Sequence, residues 1–244
     1  MTSQTHKTYF LSDIHLEENQ PTITQIFLNF LANCDTSVDG IYILGDLFES
    51  WIGDDDDTPF HQQIIQALRQ TALKGIPIYF LHGNRDFLIG KKFARLTNCQ
   101  LLAEEEKINL YGTPVLLMHG DTLCQEDLAY LKMRKWFHHP VIQFLFKLAP
   151  LSWRRKFADN MRNKSRQYTL TMPANKMDVT PAAVQAVMQK HGVNYLIHGH
   201  THKPNFHSLE INGQPATRIV LAAWHDGGEV VAWPSAGEKE VIKL

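Results

Sequence analysis

Seven residues that can ligate metal ions lie in five short stretches of this 244-residue chain. In chain order they are Asp13 and His15, Asp46, Asn84, His119, and His200 and His202. Their donor atoms are carboxylate and amide oxygens and imidazole nitrogens, a set that suits Mn²⁺, Fe or Zn²⁺. Residues i and i+2 of an extended chain point the same way, so a D-x-H or H-x-H pair can reach one ion. The spacing therefore predicts a metal centre.

Two metal ions can share these residues if one carboxylate bridges them. Asp46 is the natural bridge, because it is the single carboxylate next to a glycine in its stretch. Two ions about 3.5–4 Å apart can supply a nucleophile and hold the charge that develops on phosphorus. The sequence thus predicts a two-metal phosphoesterase. The predicted ligands are Asp13, His15, Asp46 and His202 for one ion and Asp46, Asn84, His119 and His200 for the other.

Other polar residues of these stretches are predicted to support the ligands. His198 precedes the H-x-H pair and is interpreted as a structural residue or one that orients a ligand. Glu49, Asp86 and Asp121 are predicted to orient ligands by hydrogen bonding. A single D-x-H or G-D motif occurs often by chance and by itself more readily indicates a structural role. The prediction therefore depends on all five stretches together.

Each stretch directly follows a short apolar run with the composition of a β-strand. These runs cover residues 8–11, 40–44, 77–81, 115–118 and 195–197, and helical patterns occur at 21–31 and 59–73. Active sites of α/β sheets lie at the carboxyl ends of the strands, so the five stretches are expected to meet. Continuous apolar strands indicate sheets covered on both faces. We predict two packed sheets flanked by helices, an α/β sandwich.

Composition narrows the class of protein further. The chain is 44% hydrophobic and 20% charged with a formal net charge of −1, which is typical of a globular protein without an overall field for nucleic acid. Its three cysteines, Cys34, Cys99 and Cys124, form no CxxC motif, which argues against disulfides and thiolate metal sites and favours a reducing cytosol. We expect no signal peptide and no apolar run of the roughly 20 residues that cross a bilayer.

Residues 126–177 differ from the remainder and are predicted to be a helical insertion, with residues 1–125 and 178–244 as the core. Helices are expected at 127–137, 140–148 and about 152–166. The segment from Lys132 to Arg166 contains ten basic residues and a single acidic residue, Asp159. Trp, Phe and Leu residues are interspersed among them. This pattern favours contact with an anionic membrane or a lipid-bearing anionic substrate. A helical cap packed on the core is the alternative, and the two are compatible.

The five stretches resemble the signature of the calcineurin-like metallophosphoesterase superfamily, which is D-x-H, G-D, G-N-H-D/E, H and G-H-x-H. The resemblance covers the whole chain except the insertion. It implies an α-β-β-α sandwich and a dinuclear centre with the ligands assigned above.

One residue departs from that signature. The superfamily usually has histidine after the asparagine, commonly taken to protonate an alkoxide leaving group, and this chain has Arg85. A guanidinium stays protonated at neutral pH, so it cannot act as a general acid, but it binds phosphate through two hydrogen bonds. We therefore favour cleavage of a pyrophosphate, whose leaving group needs no proton. A phosphate-binding arginine in a monoesterase is the alternative. Asp46 and Arg85 are the predicted catalytic residues.

Longer segments are similar, from end to end, to the UDP-2,3-diacylglucosamine diphosphatases of the lipid A pathway in Gram-negative bacteria. They are LGDLFESWIGDDD, GNRDFLIG, HGDTLCQEDLAYLKMR, MDVTPAAV and HGHTHKP. The resemblance implies attack of a metal-bound hydroxide on the α-phosphorus of UDP-2,3-diacylglucosamine, releasing UMP and 2,3-diacylglucosamine 1-phosphate (lipid X). It also implies manganese as the metal and a peripheral location on the cytoplasmic face of the inner membrane.

The same resemblance implies substrate contacts at Asn84, Arg85, Asp127, Ser165 and His200. An asparagine and a lysine that follow the serine in the family correspond here to Thr169 and Met172. The neighbouring residues that remain as candidates for the missing charge are Lys164, Arg166 and Lys176.

Two other functions compete with this interpretation. A phosphoesterase acting on cyclic nucleotides or phosphoproteins would use the same metals, but Arg85 and the apolar, basic insertion argue against it. A non-catalytic scaffold would bind a partner through the insertion, but scaffolds are expected to lose ligands, and all seven are present here.

Overall fold

The computed structural model describes residues 5–171, 178–225 and 227–244, without the side chains of 169 and 170. Seven α-helices occur in this part of the chain: α1 Pro21–Asn33, α2 Pro59–Leu73, α3 Lys91–Thr97, α4 Leu128–Phe137, α5 Pro140–Leu148, α6 Leu151–Thr171 and α7 Pro181–His191. The strands are β1 Lys7–Leu11, β2 Val38–Leu44, β3 Ile78–Leu81, β4 Gln100–Leu101, β5 Glu106–Leu110, β6 Thr113–Leu117, β7 Tyr195–His198, β8 Asn205–Ile211, β9 Gln214–Val220, β10 Glu229–Pro234 and β11 Glu240–Lys243.

The strands form two sheets. The first has six strands in the order β11-β10-β1-β2-β3-β4, with β1 to β4 parallel. The second has five in the order β5-β6-β7-β9-β8, with β6, β7 and β9 parallel. The five predicted strands are β1, β2, β3, β6 and β7, and their parallel pairing within each sheet sends the polar stretches to the same end of that sheet. The predicted fold class is confirmed.

Three apolar clusters separate the layers. The first cluster packs α1 to α3 on the outer face of the first sheet, through residues such as Phe27, Leu68 and Phe93. The second lies between the sheets and includes Leu44 and Ile197. The third packs α7 on the second sheet. Burial on both faces explains the continuous apolar strands, and the layer order is α-β-β-α.

Residues 126–177, predicted to be an insertion, contain α4, α5 and α6 in the described residues. No side chain of α4 or α5 is buried, and large apolar residues such as Phe144 and Leu148 are exposed. Arg154 is 2% exposed and joins α6 to the core, because its Nη1 donates to Ile52 O at 2.8 Å and to Asp55 Oδ1 at 2.9 Å. In the described part of the chain, no helix is both long and apolar enough to cross a membrane.

Candidate metal centre

The loops that follow β1 and β2 lie side by side at the carboxyl ends of these strands. Asp13 N donates to Gly45 O and His15 N donates to Asp46 O, each at 3.0 Å. On the second sheet, Gly199 N donates to His119 O at 2.9 Å and links the loops after β6 and β7. These main-chain bonds bring four of the five predicted stretches together in pairs.

Backbone strain is concentrated on the predicted ligands. Five of the seven have positive φ: Asp13 (52°), His15 (52°), Asp46 (54°), His200 (68°) and His202 (56°). Positive φ is uncommon outside glycine, and such conformations persist where surrounding structure enforces them, often at functional sites. The loops are thus held in a costly shape that directs these side chains to one place.

Two glycines allow the ligands to pack against the main chain. A Cβ at Gly83 would lie 2.1 Å from Asp46 Oδ1, and a Cβ at Gly199 would lie 2.2 Å from Asp13 Oδ2. Any side chain at either position would displace a carboxylate.

The structure brings four predicted ligands together in a first group. The Nε2 atoms of His15 and His202 are 3.4 Å apart, and Asp13 Oδ1 lies 3.3 Å from the nitrogen of His202 and 4.0 Å from that of His15. Asp46 Oδ2 lies 3.9 Å from His15 Nε2. Donor atoms at these separations can share one cation, and a group of three of them has the geometry of a metal site.

The remaining ligands form a second group on the other side of Asp46. Asp46 Oδ2 lies 3.8 Å from His119 Nε2. Asn84 Oδ1 lies 3.0 Å from His119 Nε2 and 2.9 Å from His200 Nδ1. One oxygen of Asp46 thus faces both groups, which is the placement predicted for a bridging carboxylate.

The hydrogen bonds and charges of the predicted ligand atoms are compatible with bound cations. Asp13 Oδ1 is buried and has no hydrogen-bond partner in the part of the chain that is described. His119 Nδ1 lies 2.9 Å from Leu44 O and donates to it, so Nε2, 3.0 Å from Asn84 Oδ1, is the ring nitrogen that can carry the titrating proton or bind a cation. Burial lowers the pKa of His119, but the carboxylates of Asp46 and Asp13 outweigh burial and raise this pKa to about 9. The site thus attracts positive charge, and divalent cations would satisfy it.

Acidic residues around the ligands occupy the positions predicted to orient them. Glu49 Oε2 lies 2.9 Å from Nδ1 of His15, on the opposite side of the ring from the metal group. Asp86 accepts hydrogen bonds from Leu47 N at 2.8 Å and Gly83 N at 2.9 Å, and burial together with the charge of Asp46 raises the pKa of Asp86 to about 7. These bonds fix the loops that flank the bridging carboxylate.

Asp121 and His198 support the second sheet's loops. Asp121 is buried, accepts from Tyr130 Oη at 2.7 Å and pairs with Arg134 of α4. His198 is fully buried, and a Cβ at Gly120 would lie 2.6 Å from its Nδ1. Burial lowers the pKa of His198 to about 3, so this ring is neutral and packs against the loop.

His225 contacts the site and was missed from the sequence. Its Nε2 lies 3.2 Å from Nδ1 of His202, and its ring stacks against His15 at 6.4 Å. The signal was present, because His225 follows the apolar run IVLAAW, a sixth change from strand-like to polar sequence.

The predicted substrate contacts lie on several elements. The backbone N of Arg85 donates to Asp46 Oδ1 at 2.8 Å, and its Nη1 lies 3.8 Å from Glu49 Oε1. Asp127 is buried, caps α4 by accepting from Tyr130 N, and accepts from Tyr168 Oη of α6, both at 2.9 Å. Ser165 is half-buried on α6, where Lys164 and Arg166 are exposed. Met172, Lys176 and the side chain of Thr169 lie outside the described residues.

Removal of the Glu49 carboxylate is expected to weaken metal binding. Glu49→Ala leaves Nδ1 of His15 without its acceptor, so the ring loses its fixed orientation and some basicity. We expect affinity for the metal of the first group to fall about 10–100-fold, as is typical for partners of metal-ligating histidines. Titration of Mn²⁺ into metal-stripped protein measures this. Glu18→Ala, an exposed glutamate on the neighbouring loop, is the control, and equal affinities in both variants would contradict the orienting role.

Comparison with known proteins defines the class of this fold and site. A family profile for calcineurin-like phosphoesterases matches residues 6–204, so the chain belongs to that family. A protein titled as a novel archaeal phosphodiesterase superposes with a TM-score of 0.50 at 12% identity, covering 98% of this chain and 99% of its own, and this likeness shows the fold alone.

Closer relatives place the chain within the family. It is 51% identical to a UDP-2,3-diacylglucosamine hydrolase of Klebsiella pneumoniae, over 92% of this chain and 93% of the relative. It is 50% identical to one of Coxiella burnetii, over 96% of both chains. The chain is therefore a member of the UDP-2,3-diacylglucosamine hydrolase branch, as its longer sequence segments predicted.

Proposed function

We propose that this protein hydrolyses the pyrophosphate bond of UDP-2,3-diacylglucosamine, releasing UMP and 2,3-diacylglucosamine 1-phosphate. The observation that carries the proposal is identity of about half of all residues, across nearly the full length of both chains, to proteins of that name. The position of Asp46 Oδ2 between the two ligand groups, 3.9 Å from His15 Nε2 and 3.8 Å from His119 Nε2, supports a hydrolytic centre.

We further propose that the site holds two divalent cations, Mn²⁺ in the family to which the sequence is similar. The two ligand groups described above, joined by Asp46, would hold one ion each. When bound, such ions supply a nucleophile at neutral pH and stabilise the charge that develops on phosphorus.

Each residue of the site then has a separate task. Asp46 Oδ1 is fixed by the backbone N–H of Arg85, which leaves Oδ2 directed at both ligand groups. The guanidinium of Arg85 binds the phosphate oxygens and stabilises their transition-state charge through charge-assisted hydrogen bonds. No proton is needed by a phosphate leaving group, so an arginine can replace the usual histidine.

The insertion, residues 126–177, is proposed to cover the acyl chains of the substrate. A cleft of about 530 Å³ lies between α6 and the core, and its lining includes Glu49, Ile52, Phe60 and Arg162. The lining holds more acidic than basic residues, and its arginines, Arg155 and Arg162, pair with Asp56 and Glu17, so it is the apolar part of the cleft that suits an acyl chain. Asn84, Arg85, Asp127, Ser165 and His200 remain the proposed substrate contacts.

Phosphorus NMR of products formed in ¹⁸O-enriched water tests the proposed reaction. Attack on the phosphorus attached to uridine places ¹⁸O in UMP and none in 2,3-diacylglucosamine 1-phosphate. Label in the lipid product would overturn the proposed direction of attack. Failure to cleave this substrate while cleaving bis-p-nitrophenyl phosphate would instead favour a different phosphoesterase.

We propose that α4 and α5 form a peripheral membrane contact. Phe144, Leu145 and Leu148 of α5 are 63%, 56% and 67% exposed, and Lys147 and Lys135 lie nearby in the sequence. Exposed apolar groups next to basic ones suit insertion into the interface of an anionic bilayer.

Leu148→Glu is expected to weaken binding to phosphatidylglycerol vesicles by at least about tenfold, because it removes an exposed leucine that would enter the bilayer and adds a charge that anionic lipids repel. Leu73→Glu is the matched control, since Leu73 is 64% exposed on α2, away from the insertion. Vesicle sedimentation measures both. Equal loss of binding, or none, in the two variants would argue against a contact through α5.

A further inference from the structure

A second cavity lies behind the loop that carries His200 and His202, on the helix-covered face of the second sheet. Its volume is about 290 Å³, and its lining includes Asp178, Thr201, Lys203, His207 and Arg218. His207 of β8 is paired directly with Arg218 of β9, so both side chains project from the same face of the sheet. None of these residues belongs to the two ligand groups.

The side chains that line this cavity carry more positive than negative charge. Asp178 is the single carboxylate among the lining residues, and its Oδ2 already accepts from Lys203 Nζ at 2.8 Å. Arg218 forms no ion pair within 4.0 Å of a carboxylate in the described residues, and its buried Nη1 has no hydrogen-bond partner there. Among the described lining residues, two cationic side chains, Lys203 and Arg218, thus share one carboxylate, Asp178.

Because Arg218 is partly buried, an incompletely balanced charge on its guanidinium is energetically unfavourable. Burial lowers the pKa of Arg218, because the charged guanidinium loses hydration, and the nearby charge of Asp178 only partly offsets this shift. Burial and the charge of Arg218 lower the pKa of His207, and an imidazole supplies no negative charge in either of its protonation states. A buried donor without an acceptor and a partly desolvated cation are both relieved by a bound anion.

We propose that this cavity is a non-catalytic binding site for a phosphate group, held by Arg218 and Lys203. The planar guanidinium can donate two parallel hydrogen bonds to one phosphate, and the ammonium adds a point charge. A volume of about 290 Å³ lies at the lower limit for ligand pockets, so it suits a phosphoryl group with few further atoms. The inference stands apart from the proposed reaction, because it uses no ligand residue and no substrate contact.

The cavity adjoins the loop that carries two of the predicted metal ligands. Thr201 lines the cavity and lies between His200 and His202, both of which have positive φ. A phosphate bound behind this loop would contact the segment that holds these two side chains in place. We expect occupancy to stabilise that segment.

Calorimetric titration of inorganic phosphate into the metal-loaded enzyme tests the site. Wild type is expected to bind phosphate at two places, the metal centre and the cavity. Arg218→Gln should weaken the cavity event about tenfold or more, as expected for loss of a charge-assisted pair. Arg95→Gln removes the same charge from an exposed position on α3 and should leave both events unchanged.

Arg85→Gln identifies the other event, because it should weaken phosphate binding at the metal centre and spare the cavity. Glycerol 3-phosphate and UMP as competitors then distinguish a small phosphoester from a nucleotide as the occupant. Identical phosphate isotherms for wild type, Arg218→Gln and Arg95→Gln would overturn the proposal, as would equal weakening in both variants. If circular dichroism shows Arg218→Gln unfolded, Lys203→Gln takes its place with the same criteria.

An anomalous-diffraction experiment with selenate gives an independent answer without any variant. Crystals of the metal-loaded enzyme are soaked in selenate, whose selenium is located directly. A peak within hydrogen-bond distance of Arg218 supports the site. A peak at the metal centre with none in the cavity overturns it.

Discussion

Asp46→Asn is expected to lower kcat by more than about 10³-fold, beyond the loss typical of a single transition-state donor. Asp46 Oδ2 faces His15 in one ligand group and His119 in the other, at 3.9 and 3.8 Å. An amide keeps the shape of this side chain but removes the negative charge that would lie between the two proposed cations. The variant should therefore lose metal as well as turnover.

The measurement pairs initial rates with metal analysis of the purified protein. Asp57→Asn is the control, because Asp57 is exposed and bonds only to the Gln62 amide and its own loop in the described contacts. Asp57→Asn should retain both activity and metal. Full metal content together with normal kcat in Asp46→Asn would rule out a bridging carboxylate at this position.

The fold and the clustering of the seven predicted ligands were accessible to sequence analysis because their signal is local. At β1, β2, β3, β6 and β7 an apolar run ends and a polar cluster begins within a residue or two. Such a change marks the end of a strand, and it can be recognised without knowing which strands lie next to one another in the sheet. Parallel pairing then needs only the general rule that α/β sites lie at carboxyl ends.

Contacts that depend on how loops meet were not accessible in the same way. The positive φ of Asp13 and His15 results from the loop after β1 lying against the loop after β2, a relation between residues more than thirty positions apart. His225 illustrates the intermediate case. Its strand end was visible, but its contact with His202 follows from β9 lying beside β7.

Helices of the insertion were predicted nearly to their ends, except the last. α6 continues to Thr171, although the apolar pattern stops near Arg166. A polar segment that lacks glycine and proline does not by itself end a helix. The loss of amphipathic spacing near Arg166 therefore marked the point where α6 stops packing against the protein, and the helix itself continues. Exposure of the α5 side chains depends on the docking of the three helices, which spacing alone does not determine.

Arg85→Ala is expected to slow hydrolysis of the pyrophosphate substrate about 10²–10³-fold while leaving the metal content unchanged. In the described residues, the guanidinium forms no hydrogen bond or ion pair with a predicted ligand side chain, and its acidic partner is Glu49 at 3.8 Å. Asp46 is held by the backbone N–H of Arg85, which alanine retains. The substitution thus removes the charge proposed to face the substrate and spares the backbone N–H that positions Asp46.

Comparison of leaving groups separates this role from simple substrate affinity. If Arg85 stabilises transition-state charge on a departing phosphate, Arg85→Ala should lower kcat for the pyrophosphate and affect bis-p-nitrophenyl phosphate much less, because that leaving group carries no phosphate. Arg95→Ala, which removes an exposed arginine of α3, should match wild type on both substrates. A change confined to KM would assign Arg85 to ground-state binding, and a normal kcat would remove it from the chemistry. Arg85→His should not restore the pyrophosphate reaction, since a proton donor replaces a charge that the phosphate leaving group requires.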